Sequence, residues 1–171
     1  MRWHGSFQDV LKASSGSLSN FSNELRTFRA FDDPLFKLTM LLAILLTGSG
    51  LAAFDHPLLP AVDYHLMKQL LRFGVLIPSA RISAALIRRD LLATDDAFEI
   101  RAAAIEALAE VSYRTGISGD RLDNFLWRNR SACSDERPAC TDSSRAGDCP
   151  LVESCLRKTQ FFRPLELTRY Y

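Results

Sequence analysis

All four cysteines of the chain, Cys133, Cys140, Cys149 and Cys155, fall within 23 residues near the C-terminus. They follow the pattern C-x6-C-x8-C-x5-C, and their neighbours are Ser, Asp, Arg and Pro rather than the apolar residues that surround a packing cysteine. In a reducing compartment such a group favours a metal or a cluster over disulfides. Four thiolates in one loop can wrap a [4Fe–4S] cluster or a tetrahedral Zn2+. Zinc ribbons and fingers hold their cysteines in close pairs, because a tight knuckle aims two sulfurs at one ion. No pair here is that close, and a cubane is wider than one ion and tolerates longer loops. The expectation is a [4Fe–4S] cluster, with Zn2+ and free or disulfide-bonded thiols as alternatives.

The rest of the chain has to supply a core against which that loop is placed. Its 171 residues are 47% hydrophobic and 24% charged, which is ordinary globular usage and excludes wholesale disorder. Lys and Arg number 21 against 20 Asp and Glu, so a polyanion would need a local basic patch rather than a basic protein. The most apolar stretch, Leu38 to Leu46, has nine residues, where a membrane span needs about 20. Residues 1–20 lack a secretory apolar run, and the expected compartment is the cytoplasm.

Helical signals dominate. Residues 1–17 are polar and Ser-rich and read as a flexible entry. Residues 18–131 read as a helical domain. Phe21, Leu25 and Phe28 recur at helical spacing. Asp33-Pro34 reads as an N-cap and first helical residue, opening an almost wholly apolar helix through Leu46 that is expected to be the buried central one. Asp63 caps a helix that runs to Phe73 and is closed by Gly74. Its inner face is Leu66, Leu70 and Phe73, with Lys68 and Arg72 paired outside. Ser79 opens a third helix, Thr94 a long fourth that ends at Gly116, and Ser118 or Asp120 a fifth carrying Leu122, Phe125, Leu126 and Trp127 on one side. Residues 132–171 form the cysteine loop and an aromatic tail that includes Phe161, Phe162, Tyr170 and Tyr171. No alternating run is long enough for a strand. The expected fold class is all-α, a helical bundle followed by a four-cysteine loop.

Two segments carry a family resemblance. Val62-Asp63-Tyr64-His65, continuing through Arg72-Phe73-Gly74, resembles the V-D-T-H-V…R…R-L-G segment of helix-hairpin-helix DNA glycosylases of the endonuclease III superfamily. Leu126-Trp127, Cys133, Cys140, Cys149-Pro150-Leu151 and Cys155 are similar to that family's C-terminal cluster, C-x6-C-x2-C-x5-C, with a middle gap of eight instead of two. The segments occur in the family's order, and the resemblance covers roughly residues 34–156. It implies part of a glycosylase helical domain, a [4Fe–4S] cluster on the four cysteines, DNA as partner, and Asp63 as the catalytic carboxylate. In bifunctional members a lysine attacks the sugar C1′, and Lys37 is the only lysine in the corresponding region. In place of the family's L-P-G-x-G hairpin the chain has Phe31-Asp32-Asp33-Pro34-Leu35-Phe36. A reduced relative, or one whose barrel a partner protein completes, is implied.

Beside the resemblance, Asp63 reads as a plain N-cap, Lys37 as a snorkelling surface lysine, and His65 as a buried, satisfied histidine. Arg128, Arg130, Arg137 and Arg145 flank the first cysteines and are interleaved with acids, which suits phosphate contact or a solvated loop. The aromatic tail suits base stacking or, more simply, covering the core. The functional expectation is a DNA glycosylase-like enzyme that flips and excises a modified base, the possible lyase activity resting on Lys37. The alternative is a non-catalytic Fe–S or zinc helical module that binds DNA or a partner subunit.

Overall fold

The computed structural model describes residues 6–166. Among them the fold is all-α, with an isolated parallel bridge between Leu91 and Leu165 as the one piece of β pairing. The helices are α1 (Phe7–Ser14), α2 (Leu18–Leu25), α3 (Lys37–Gly48), α4 (Tyr64–Phe73), α5 (Ala80–Arg88), α6 (Thr94–Thr115) and α7 (Gly119–Arg128), with single 3-10 turns between and after them. No described helix is long and apolar enough to cross a membrane.

Two apolar clusters organise the chain. The first joins α1, α2 and α3 around Phe21, which is fully buried and meets the rings of Phe7 and Phe54 at 6.5 and 5.0 Å. The second joins α4, α5, α6 and α7, with Leu66, Met67, Leu70 and Leu71 of α4 at its centre and Phe161 of the tail closing it. Burying each of those four side chains is worth about 1.5–3 kcal/mol.

Several local signals act as expected. Asp63 caps α4 through hydrogen bonds from the backbone N–H groups of His65 and Leu66, Ser79 caps α5 through Ile82 N–H, and Gly74 and Gly116 take the left-handed conformation that ends α4 and α6. Four expectations are corrected. The flexible entry contains α1, whose Val10 is 2% exposed, because its Val10-Leu11 pair packs on α2 and α3. α3 begins at Lys37 rather than Pro34: Phe36 N–H bonds back to Asp33 O, closing a turn that precedes the helix, with Phe36 left-handed at φ 55°. Asp33 still serves the start, since its carboxylate accepts from the N–H groups of Leu35 and Lys37. α3 is not the central helix, for Leu45 is 60% exposed and only Thr39, Met40, Ala43 and Leu46 of its apolar sequence are buried.

The fourth correction bears on function. The buried helix is α4, and its burial is not confined to its apolar face. Lys68, Gln69 and Arg72 are each about as buried as Leu66, at 1% exposed. The outward Lys68–Arg72 pairing does not occur, because the cysteine loop folds over that side of the helix.

Candidate functional site

The four cysteines come together. Cys133, Cys140, Cys149 and Cys155 line one small cavity, closed by Arg72, Phe73, Ala132, Val152, Arg157 and Thr159. None is disulfide-bonded. Among the described residues, no three His, Cys, Asp or Glu side chains group as a site for a single metal ion. The loop lacks regular structure beyond the 3-10 turns at Ala139–Thr141 and Ala146–Asp148. Successive turns bond within the loop, while carbonyls at its two ends need partners from elsewhere.

Arg72 supplies them. Its Nε–H donates to Phe161 O at 2.7 Å, and Nη1–H to Ser134 O at 2.7 Å and Cys133 O at 3.4 Å. Nη2–H reaches Thr159 O at 3.3 Å and Asp135 O at 3.5 Å. One guanidinium thus ties both ends of the cysteine loop, residues 133–135 and 159–161, to the last turn of α4. Its own backbone takes part: Lys158 N–H donates to Arg72 O, and Cys155 Sγ lies 3.6 Å from the same oxygen. Lys68 adds an ion pair to Asp135 at 3.5 Å, and Arg163 flanks the same carboxylate at 3.6 Å.

The electrostatics point at the sulfurs. Arg72 is buried, yet none of the described ion pairs gives it a carboxylate partner. Its nearest anionic group in prospect is a thiolate: Nη1 stands 3.6 Å from Cys133 Sγ. A buried cation needs a counter-charge. Burial pushes the Cys133 thiol up, while the charge and hydrogen bond of Arg72, and then Lys68, pull it down. Burial also raises Cys155, opposed by the Arg157 N–H that donates to its sulfur at 3.2 Å. The other three thiols raise Cys155 further, as they do when four sulfurs share one space. Metal ligation requires thiolates, and it would release those protons and give Arg72 its counter-charge.

At the opposite end of α4, Asp63 lies half-buried. Its Oδ1 accepts from His65 N–H at 2.8 Å and Leu66 N–H at 3.0 Å, so Oδ2 points to no hydrogen-bond donor among the described residues. Lys37, at the first position of α3, falls in its electrostatic reach. Burial lowers the Lys37 ammonium, Asp63 raises it, Arg101 lowers it, and Asp33 and Asp123 raise it again. Arg101 in turn pairs with Asp33 at 3.6 Å and Glu166 at 2.7 Å. The two residues singled out for catalysis therefore share one charged cluster, although 25 residues separate them in sequence. Asp63 also serves as the N-cap of α4, through Oδ1 alone.

The cluster includes a residue that the helical pattern did not mark. Asp123 of α7 is 7% exposed. Burial and the neighbouring Asp63 push its carboxyl up to about 6, against a hydrogen bond from the Ala61 backbone. α7 buries Gly119, Asp123 and Leu126. Phe125 and Trp127, read from the sequence as lying on one side with Leu126, are 41% and 48% exposed, and Trp127 is covered by Arg130 at 3.3 Å. The available signal was the i,i+4 step from Gly119 to Asp123, with Leu126 three residues on.

The remaining candidates disperse. His65 stacks on Tyr64 at 4.3 Å and its Nδ1 is buried without a hydrogen-bond partner among the described residues, so it is not the satisfied histidine expected. Arg145 pairs with Asp148 at 3.3 Å, as a solvated loop would. Phe161 covers the core, and Phe162 is capped by Arg89 at 3.7 Å. Tyr170 and Tyr171 lie outside the described residues. Comparison of the chain with family models, with curated proteins and with solved structures gave no match.

Proposed function

We propose that this chain is a DNA glycosylase-like protein that extrudes a modified base and breaks its N-glycosidic bond, with Cys133, Cys140, Cys149 and Cys155 holding a [4Fe–4S] cluster. One observation carries the reading: a single ten-residue helix, α4, has its N-cap Asp63 within electrostatic reach of Lys37 and its last-turn Arg72 lining the four-thiol cavity. The residues present fit such a group. Four thiols line one cavity, and the buried Arg72, with no carboxylate partner among the described ion pairs, suits a ligand of net negative charge.

In this reading Asp63, fixed through Oδ1 by two backbone N–H groups, turns Oδ2 towards the deoxyribose and supports positive charge as it develops at C1′. Lys37, whose ammonium form burial disfavours, is the amine that adds to C1′ once it has given up its proton. The extruded base leaves with the electron pair of the broken bond. When bound, the cluster supplies structural cross-linking of residues 133–155 and carries no step of the reaction. The turn at Asp33 favours a second reading. Where glycosylases grip phosphate with a glycine hairpin, this chain has a buried aspartate tied to Arg101. A non-catalytic module that binds DNA or a partner subunit follows from that.

The test begins with anaerobic purification, a visible spectrum, and assays for iron, sulfide and zinc. Brown protein with about four irons per chain supports the cluster. Colourless zinc protein sinks it. Release of modified bases from a panel of duplexes by the wild type, and none by Asp63→Asn, supports the enzyme. Release that survives Asp63→Asn removes Asp63 from the chemistry, and no release from any duplex, with a co-purifying partner, moves the assignment to the non-catalytic module.

A further inference from the structure

The outer face of α7 carries positive charge without a counter-charge. Arg121, Asn124, Phe125 and Arg128 recur at i, i+3, i+4 and i+7, so they share one face of the helix, and all four are exposed. Gly119, Asp123 and Leu126 take the opposite face and are buried. That burial fixes which way the outer face looks. A Cβ on Gly119 would stand 2.3 Å from Leu58 O, and Gln69 Nε2–H of α4 donates to Leu126 O at 3.0 Å. Local stability does not account for the outer residues. Arg121 puts a cation in the first turn, where it opposes the helix dipole. Phe125 leaves 41% of its surface in water. The exposed Arg81, Arg88, Arg89 and Arg114 each hold a carboxylate, those of Asp96, Asp90, Glu136 and Glu110. No carboxylate pairs with Arg121, Arg128 or Arg130 among the described residues. Arg130, laid over the Trp127 ring just past the helix, puts a third such cation close to Arg128. The acid of the first turn, Asp120, is half-buried on the flank and within electrostatic reach of Asp123.

We propose that this face of α7 docks on the sugar–phosphate backbone of duplex DNA, with Arg121 and Arg128 each neutralising one phosphate. The inference rests on DNA as the partner in the glycosylase reading above, and it names the surface that holds the duplex. The chemistry of the face selects the partner. A guanidinium presents a planar fork of N–H donors that matches phosphate oxygens, and it gives up its water more readily than an ammonium does. Seven residues separate the two arginines, about 10 Å along the helix axis. That is about three steps of a strand at about 3.4 Å each. Asn124, between them, adds a neutral side chain of the kind that contacts phosphate and sugar. The face also supplies what the turn at Asp33 does not. In place of the family's glycine hairpin that turn holds a buried carboxylate, which repels phosphate, so the grip has to come from cations elsewhere on the chain.

The test uses the full-length protein as purified and a fluorescein-labelled duplex of about 20 unmodified base pairs, with affinity read by anisotropy from about 50 to about 200 mM salt. Each phosphate contact contributes about 0.9 to the slope of log affinity against log salt. The double variant Arg121→Gln, Arg128→Gln should therefore flatten the slope by about 1.8 and weaken binding about 100-fold at about 50 mM salt, alike for duplexes of different sequence. The double variant Arg88→Gln, Arg114→Gln removes the same net charge from other exposed positions and should keep the wild-type slope. All four positions are exposed, so the helical circular dichroism of both variants should match the wild type. Unlabelled polyglutamate should displace the labelled duplex poorly beside unlabelled duplex at equal charge. A wild-type slope in the α7 variant, or an equal loss in both variants, overturns this proposal alone and leaves DNA to another face. Polyglutamate that displaces as well as DNA moves the face to an acidic protein and overturns it too. No binding of the duplex by the wild type overturns this proposal together with DNA as the partner in the glycosylase reading. The expected slopes without base release from any duplex uphold this surface while the enzyme reading fails.

Discussion

Arg72→Met should detach the cysteine loop from the helices. The substitution keeps a long flexible side chain in the same space and removes every donor. Two bonds are short: Nε–H to Phe161 O and Nη1–H to Ser134 O, both 2.7 Å. Hydrogen bonds from a charged donor contribute about 1.5–3 kcal/mol each, so this pair is worth about 3–6 kcal/mol. The contacts to Cys133 O, Thr159 O and Asp135 O, at 3.3–3.5 Å, are longer and add less. Against this stands the relief of a buried cation without a carboxylate, which returns part of its desolvation cost. The balance favours destabilisation by about 3 kcal/mol, because the carbonyls of Ser134 and Phe161 stay buried and lose their donor. That is a large share of the ~5–15 kcal/mol that holds a domain together. The loss is also local. Residues 133–135 and 159–161 should open while α5 and α6 keep their contacts.

Two measurements separate these effects. Urea unfolding followed by helical circular dichroism gives the global loss, and thiol titration gives the opening of the loop, in which Cys133 should react much faster than in the wild type. Arg72→Lys is the informative control. It keeps the charge but not the planar fork that spans both ends of the loop, and should behave more like Met than like Arg. A stability loss under about 1 kcal/mol with unchanged Cys133 reactivity would refute the assignment of Arg72 as the anchor.

Three further outcomes follow from the same geometry. Asp63→Ala should cost about 1 kcal/mol by exposing the N–H groups of His65 and Leu66, whereas Asp63→Asn, an equally good cap, should leave the melting temperature near that of the wild type. Gly119→Ala should destabilise by about 1–3 kcal/mol and more than Gly74→Ala at the packing level, since its Cβ meets backbone Leu58 O at 2.3 Å while that of Gly74 meets the far end of the exposed Leu156 side chain; parallel urea melts compare the two. Asp123 has a folded pKa of about 6 against an ordinary 3.8, so the stability it contributes is full below about pH 4 and lost as pH rises through 6. Asp123→Asn should flatten that fall, about 3 kcal/mol, and an unchanged stability–pH curve would contradict the burial of the charge.

What could be read in advance was local. Asp63, Ser79, Gly74 and Gly116 act where the chain itself satisfies or frees a few backbone groups, and each does as its chemistry dictates. α3 misled because an all-apolar helix is a statement about what a segment tolerates, not about what covers it; among the described residues Leu45 is left 60% exposed. α4 misled in the opposite sense. Lys68 and Arg72, four residues apart on a helix, look like a solvated pair. Their burial depends on a loop more than 60 residues away, and helical periodicity holds no information about that loop.

A signal was nevertheless present in what the loop lacks. A segment from Ser131 onward with almost no regular structure carries many carbonyls that must find donors once buried. Cysteine sulfurs accept weakly, and the loop's own arginines serve carbonyls within it, Arg145 that of Arg137 and Arg157 that of Val152, rather than those at its two ends. The donors had to come from the helical part, and an arginine fork is the side chain that can serve several carbonyls at once. Asp63 and Arg72 lie nine residues apart on α4, about 13 Å along its axis. That rigid spacing gives the helix its place in the molecule. The apolar face of α4 sits in the core, its start carries the carboxylate in electrostatic reach of Lys37 and Asp123, and its end carries the cation that ties down both ends of the cysteine loop. Loss of the loop would free the last turn of α4 before the first, so the charged cluster at Asp63 should outlast the cysteine site on unfolding, and the two ends should separate in hydrogen exchange with Leu66 protected longer than Phe73.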